Sequence, residues 1–157
     1  MNTKIFLVGL PGAGKTTLGL ELAHHLGVQF VDLDQEIEKN ARQSINTIFE
    51  EKGENHFRQV EHKYLINSIA ELSNFVMATG GGTPCFFNNM ELMKRSGLTI
   101  FIKTPLQIIK QRLKDDLDRP LMKSNTLEFL NESRKEWYEQ ADHTVRSLKE
   151  LIKLVES

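Results

Sequence analysis

Residues 9–16 read Gly-Leu-Pro-Gly-Ala-Gly-Lys-Thr, the pattern G-x-x-x-x-G-K-T. An apolar β-type run, Lys4-Ile5-Phe6-Leu7-Val8, leads into it, and helical spacing of Leu18, Leu22, Ala23 and Leu26 follows. A strand that becomes a helix across such a loop turns its backbone N–H groups inward, and the helix start adds the positive end of its dipole. Gly9, Gly12 and Gly14 permit that turn. Lys15 has the reach for β- and γ-phosphates, and the Thr16 hydroxyl can ligate Mg²⁺. A glycine-rich turn with a surface lysine would not need a strand before it and a helix after it. The motif therefore implies a nucleoside triphosphate site, with Gly12, Ala13, Gly14, Lys15, Thr16 and Thr17 around the phosphates.

Further β-type runs occur at Val28–Val31, Phe75–Ala78, Leu98–Ile102 and, more weakly, His143–Val145. Helical patterns separate them, which predicts a parallel sheet with helices on both faces. Runs apolar at nearly every residue suit strands covered on both sides. The length of 157 residues suits one domain spanning 1–157. Between the second and third strands lies a long insert, about 34–72. Its Ile45, Ile48 and Phe49, then Phe57, Val60, Tyr64, Leu65, Ile69 and Leu72, have helical spacing, with Gly53 as a break between two helices. A polar stretch, about 114–125, follows the fourth strand. Inserts of this kind stand at the carboxyl edge of an open α/β sheet, where ligands bind. They predict an acceptor-binding flap and a lid.

A formal net charge of −1 gives no reason to expect nucleic acid or an anionic membrane as partner. No apolar run approaches the ~20 residues that span a bilayer, and the first one is too short for a signal peptide. The one cysteine, Cys85, excludes an intramolecular disulfide and fits a reducing compartment. It reads as a small buried side chain or, alternatively, as a reactive thiol. These features predict a cytoplasmic protein, and a monomer, since no helix carries an extra exposed apolar stripe.

Asp32 and Asp34 close the second run, where alternation would put both on one side of an extended segment with Leu33 toward the core. Two neighbouring carboxylates repel unless a cation or donors lie between them. Asp32 would hold the waters of a metal bound to the nucleotide, and Asp34 would orient or deprotonate an attacking hydroxyl. The competing reading makes Asp34 the cap of a helix over Gln35–Asn40. Gly80-Gly81-Gly82 follows the third run, and with no side chains in the way its N–H groups can approach an acceptor or a phosphate. No acid stands directly after that strand, which argues against a motor or switch ATPase. Arg58 and Arg134 read either as solvated surface charges or as a bidentate clamp for an acidic acceptor. Arg119, within Asp118-Arg119-Pro120-Leu121 of the polar stretch, could neutralise charge on a transferring phosphoryl group. Arg112 could lie flat on adenine. His56 and His62 lack partners at zinc spacing.

This set of motifs resembles the shikimate kinase family. Gly9–Thr16, Asp32-x-Asp34, Phe57-Arg58, Gly80-Gly81-Gly82, Arg119-Pro120-Leu121 and Arg134 with Tyr138 follow the family's order and approximate spacing over about residues 3–145. Glu136 stands where the family often has Pro, and the loop after Val145 is shorter than the family's. The resemblance implies a three-layer P-loop kinase fold of the nucleoside-monophosphate-kinase type, with a five-stranded parallel sheet, a substrate flap and a lid. It implies ATP-dependent phosphorylation of the 3-hydroxyl of shikimate, with Asp34, Arg58, Gly80, Gly81, Gly82 and Arg134 at the acceptor. Lys15, Arg112 and Arg119 would then contact ATP, Thr16 the Mg²⁺, and Asp32 the same ion through water. A kinase for another hydroxy-acid such as gluconate, or a nucleotide switch, are the rival readings.

Overall fold

Each apolar run forms a strand in the computed structural model, which describes residues 2–114 and 124–157. β1 (Lys4–Val8), β2 (Gln29–Asp32), β3 (Phe75–Ala78), β4 (Leu98–Ile102) and β5 (His143–Val145) make a five-stranded sheet in the order β2-β3-β1-β4-β5. Every pairing is parallel, with Leu7 opposite both Ala78 and Ile100, and Asp32 opposite Ala78. β3 is buried along its whole length and β1 from Ile5 to Val8, which explains their lack of polar alternation.

The helices are α1 (Lys15–Leu26), α2 (Leu33–Ala41), α3 (Ile45–Glu71), α4 (Asn89–Ser96), α5 (Leu106–Lys114), α6 (Ser124–Tyr138) and α7 (Leu148–Glu156). α1 packs on β1, β2 and β3 and against α7, while α4 packs on β4 and against α3. Among the described residues no helix is long and apolar enough to cross a membrane. The insert at 34–72 holds most of α2 and all of α3. α3 is broken at Gly53, where φ 85 and ψ 167 leave the helical region, at the position the apolar spacing predicts.

One local expectation is corrected. β2 stops at Asp32, and Leu33 is already helical, so Asp32 and Asp34 do not alternate along a strand. Asp32 itself caps α2, its Oδ1 accepting from the Gln35 N–H at 3.1 Å. That bond satisfies one of the helix's leading donors and favours the turn over one more extended residue. The cap that the alternative reading gave to Asp34 therefore belongs to Asp32, and Asp34 stands in the first turn of α2. The polar stretch expected to act as a lid, about 114–125 with Arg119, lies outside the described residues apart from its ends.

Strand order positions the site. The phosphate-type loop follows β1, the glycine triplet follows β3, and Asp32 ends β2, so three adjacent strands present these motifs side by side. Gly97, between α4 and β4, shows how closely this frame is packed, because a Cβ there would lie 2.1 Å from the Lys4 carbonyl oxygen of β1. Gly97→Ala is expected to destabilise the protein by ~1–3 kcal/mol or more, since backbone rather than a flexible side chain must yield. Thermal unfolding should then show a midpoint several degrees lower. An unchanged midpoint would mean that β1 shifts without cost.

Candidate active site

The start of α1 is built to receive an anion. Its N-cap is Gly14, at φ 102, a left-handed conformation that a β-carbon would strain. Among the described residues no side chain caps this helix and its first turn holds no acid. By contrast, side chains of Asp32, Ser44 and Ser147 cap α2, α3 and α7. With no side-chain cap and no acid in its first turn, the start of α1 presents the positive end of its dipole to an anion. Lys15 is buried and folds over the loop, with Nζ 2.5 Å from the Gly9 carbonyl oxygen and 2.9 Å from that of Leu10. The Thr16 hydroxyl donates to Asp32 Oδ2 at 2.8 Å. From α5, Arg112 Nη1 donates to the Gly12 carbonyl at 3.0 Å, and from the turn between β4 and α5, Thr104 Oγ1 donates to that of Ala13 at 2.7 Å. Arg112 therefore lies beside the loop.

One strand away, the glycine triplet is pressed by a different neighbour at each residue. A Cβ on Gly80 would lie 2.8 Å from Asp34 Oδ1 and 3.1 Å from Glu61 Oε2. One on Gly81 would lie 2.8 Å from Pro11 Cδ and 3.0 Å from Arg134 Nη1, and one on Gly82 only 2.6 Å from Arg58 Nη2. None of the three has a positive φ, so close approach rather than backbone freedom requires glycine here. The structure thus gathers Asp34, Arg58 and Arg134 around Gly80–Gly82.

Arg58 is not a solvated surface charge. It is 7 % exposed and its Cζ lies 4.1 Å from the centroid of the Phe86 ring. Nη1 donates to Glu61 Oε1 at 3.0 Å and Nη2 to Glu54 Oε2 at 3.2 Å. Nε is buried with no hydrogen-bond partner among the described residues, which is costly unless an acceptor arrives.

Apart from Tyr138, the residues that hold this recess together were missed by sequence reasoning. Glu61 is fully buried and also accepts from Thr83 Oγ1 at 2.8 Å. Buried Asn89 donates to the Thr83 carbonyl at 2.9 Å, and His62 Nδ1 meets Asn89 Oδ1 at 2.5 Å. The Tyr138 hydroxyl of α6 donates to the Gly81 carbonyl at 2.6 Å. A signal for Glu61 existed: it stands four residues from both Phe57 and Leu65, on the stripe that helical spacing assigns to the core.

An anion-receiving helix start beside a charged recess on the next strand is the organisation of a P-loop kinase acting on a small acceptor. The sequence profile of the shikimate kinase family matches residues 11–155. The shikimate kinase of Persephonella marina is 47 % identical over 140 residues, covering 88 % of this chain and 85 % of that protein. The crystal structure of shikimate kinase from Bacteroides thetaiotaomicron matches with a TM-score of 0.91 and 32 % identity over 100 % of both chains. Shikimate kinase from Acinetobacter baumannii in complex with shikimate gives a TM-score of 0.91 at 33 % identity, covering 99 % of this chain and 93 % of that one. The chain belongs to the shikimate kinase family.

Behind the recess sit two groups whose protons are held tightly. Burial raises the Tyr138 phenol well above its ordinary range, against the opposing pull of Arg134, which keeps it a donor to Gly81. Burial likewise pushes the half-buried Cys85 thiol up to about 11, against Arg134 and Arg58. A thiol raised in this way is a poor nucleophile at neutral pH. An acid whose folded pKa is raised keeps its proton longer in the folded state. Its stabilising contribution is complete below the unfolded value of 9.0 and is lost as pH climbs toward about 11. At pH 8 the folded thiolate fraction should be roughly a hundredfold below that of the urea-unfolded chain. Iodoacetamide labelling followed by mass spectrometry should show correspondingly slow modification of the folded protein. Labelling at equal rates in both states would contradict the assignment.

Proposed function

We infer that this protein transfers the γ-phosphoryl group of ATP to the 3-hydroxyl of shikimate, giving shikimate 3-phosphate and ADP on the route to chorismate and the aromatic amino acids. The observation that carries the residue assignment is the buried Arg58 guanidinium, whose Nε has no partner among the described residues, facing a loop one strand from the phosphate grip. Arginine binds carboxylate in a planar fork, so Arg58 and Arg134, both against the glycine triplet, are suited to the carboxylate of shikimate. Asp34, close to Gly80, accepts from the ring hydroxyls, and the backbone of Gly80–Gly82 forms the wall on which the ring rests.

In the transfer, the acceptor oxygen bonds to the γ-phosphorus, the bond from that phosphorus to the β–γ bridging oxygen breaks, and ADP leaves. The proton of the attacking hydroxyl passes to the Asp34 carboxylate. Charge spreads over the γ-phosphoryl oxygens, so catalysis is positioning plus neutralisation, supplied by the α1 N–H groups, Lys15 and Arg119. Arg112, already bonded to the Gly12 carbonyl, flanks the nucleotide and is suited to cover adenine. Thr16 Oγ1 would be a hard oxygen donor to Mg²⁺, and Asp32, whose Oδ2 lies 2.8 Å from it, would hold the ion through its waters. When bound, that ion neutralises β- and γ-phosphate charge. The single-domain reading, a monomeric state and a cytoplasmic location belong to the same proposal, the first supported by the length of 157 residues and the last by the single cysteine.

The test is ADP release with Mg·ATP and shikimate, gluconate or no acceptor. Turnover is expected with shikimate, and Lys15→Ala should lower kcat by roughly 10²- to 10³-fold or more. Arg58→Lys keeps a cation beside buried Glu61, yet loses the fork. It should raise the shikimate KM by roughly ten- to a hundredfold while leaving that of ATP in place. Turnover with gluconate alone would overturn the acceptor, and an unchanged shikimate KM in Arg58→Lys would overturn the clamp.

A further inference from the structure

Arg58 meets two acids on its own helix, and they are not equivalent. Glu61 is buried, and its two oxygens are both engaged, one by Arg58 Nη1 at 3.0 Å and the other by Thr83 Oγ1 at 2.8 Å. Releasing it would strand a buried charge, so it is a permanent partner. Glu54 touches Nη2 at 3.2 Å from a side chain that is 54 % exposed. It follows directly on the Gly53 break. Its carboxylate can leave for water at little desolvation cost.

The edge of the guanidinium that Glu61 does not use carries Nε and Nη2. Glu54 takes only the Nη2 half, since Nε has no hydrogen-bond partner among the described residues. A carboxylate that engaged both donors of this edge would form the bidentate pair that a single contact from Glu54 does not provide. We propose that Glu54 is an internal competitor for the acceptor's carboxylate, holding Arg58 Nη2 until the acceptor displaces it and thereby setting acceptor affinity. This rests on Arg58 being the partner of that carboxylate. Glu54 keeps Arg58 paired in the empty site, and the acceptor gains only the difference between two carboxylate contacts.

The consequence is that loss of the Glu54 contact raises the energy of the free protein and leaves the complex unaffected, so binding tightens. Shikimate affinity of the full-length protein would be measured by titration calorimetry for wild type, Glu54→Gln, Glu54→Asp and Arg58→Lys, with thermal midpoints as a check on folding. Glu54→Gln removes the charge. Glu54→Asp keeps the charge and shortens its reach by one methylene. Both are expected to bind shikimate roughly two- to five-fold more tightly than wild type, the scale of a half-exposed i,i+4 ion pair. Tightening in Glu54→Gln with wild-type affinity in Glu54→Asp would mean simple repulsion between like charges, and would overturn the proposal. Weaker binding in either variant would make Glu54 a support that orients Arg58, and would also overturn it. Arg58→Lys separates the two levels. Unchanged affinity there removes Arg58 as the carboxylate's partner, whereas weakened binding there with Glu54 variants equal to wild type removes the competitor alone.

Discussion

A guanidinium taken out of water has to be matched by a carboxylate that is equally withdrawn, and in this protein Glu61 does that for Arg58. Removing one member of such a pair costs about 3–5 kcal/mol, because the other is left buried and uncompensated. The pair is not isolated. Through Thr83 it reaches the short turn after the glycine triplet, through Asn89 the start of α4, and through His62 a second residue of α3. The long helix, the triplet and α4 are thereby fixed to one another, and the recess has a set shape before any acceptor arrives.

The two halves of the site obey different physics. The phosphate half is made of backbone: an uncapped helix start, glycines that tolerate the turn, and Lys15 and Thr16 added at its rim. The other half is made of side chains packed against glycines, where a β-carbon would meet Asp34 at Gly80, Pro11 and Arg134 at Gly81, and Arg58 at Gly82. Backbone grips are recognisable in a sequence because their glycines and lysine are contiguous. Side-chain recesses are assembled from distant segments and leave a weaker trace.

That difference decides what could be read from the sequence. All five strands were legible to within a residue, β5 the most weakly because His143 and Thr144 break its apolar pattern, the others because apolar runs have few other fates in a covered parallel sheet. Gly53 was legible as a break between two apolar helical stripes. The end of β2 was not, because Asp32 both extends a strand pattern and makes a good helix cap, and the capping bond to Gln35 prevails. Arg58 was indistinguishable from a surface charge until Glu61 was seen beside it. Glu61 itself passed unnoticed although it interrupts the apolar stripe between Phe57 and Leu65. Tyr138 stood out only as part of a motif, and its bond to the Gly81 carbonyl could not have been inferred from spacing. Paired buried charges defeat residue-by-residue reading, since each member looks exposed when considered alone.

The neighbouring positions of β1 and β3 carry one more consequence. Leu7 lies opposite Ala78, and the next residue, Thr79, donates both its N–H and its hydroxyl to the Leu7 carbonyl, at 3.1 and 2.8 Å. The glycine-rich loop after β1 and the glycine triplet after β3 therefore emerge from a locked ladder, with strands about 4.8 Å apart. A substitution at Thr79 that broke this lock would disturb both loops at once, whichever of them it was meant to alter.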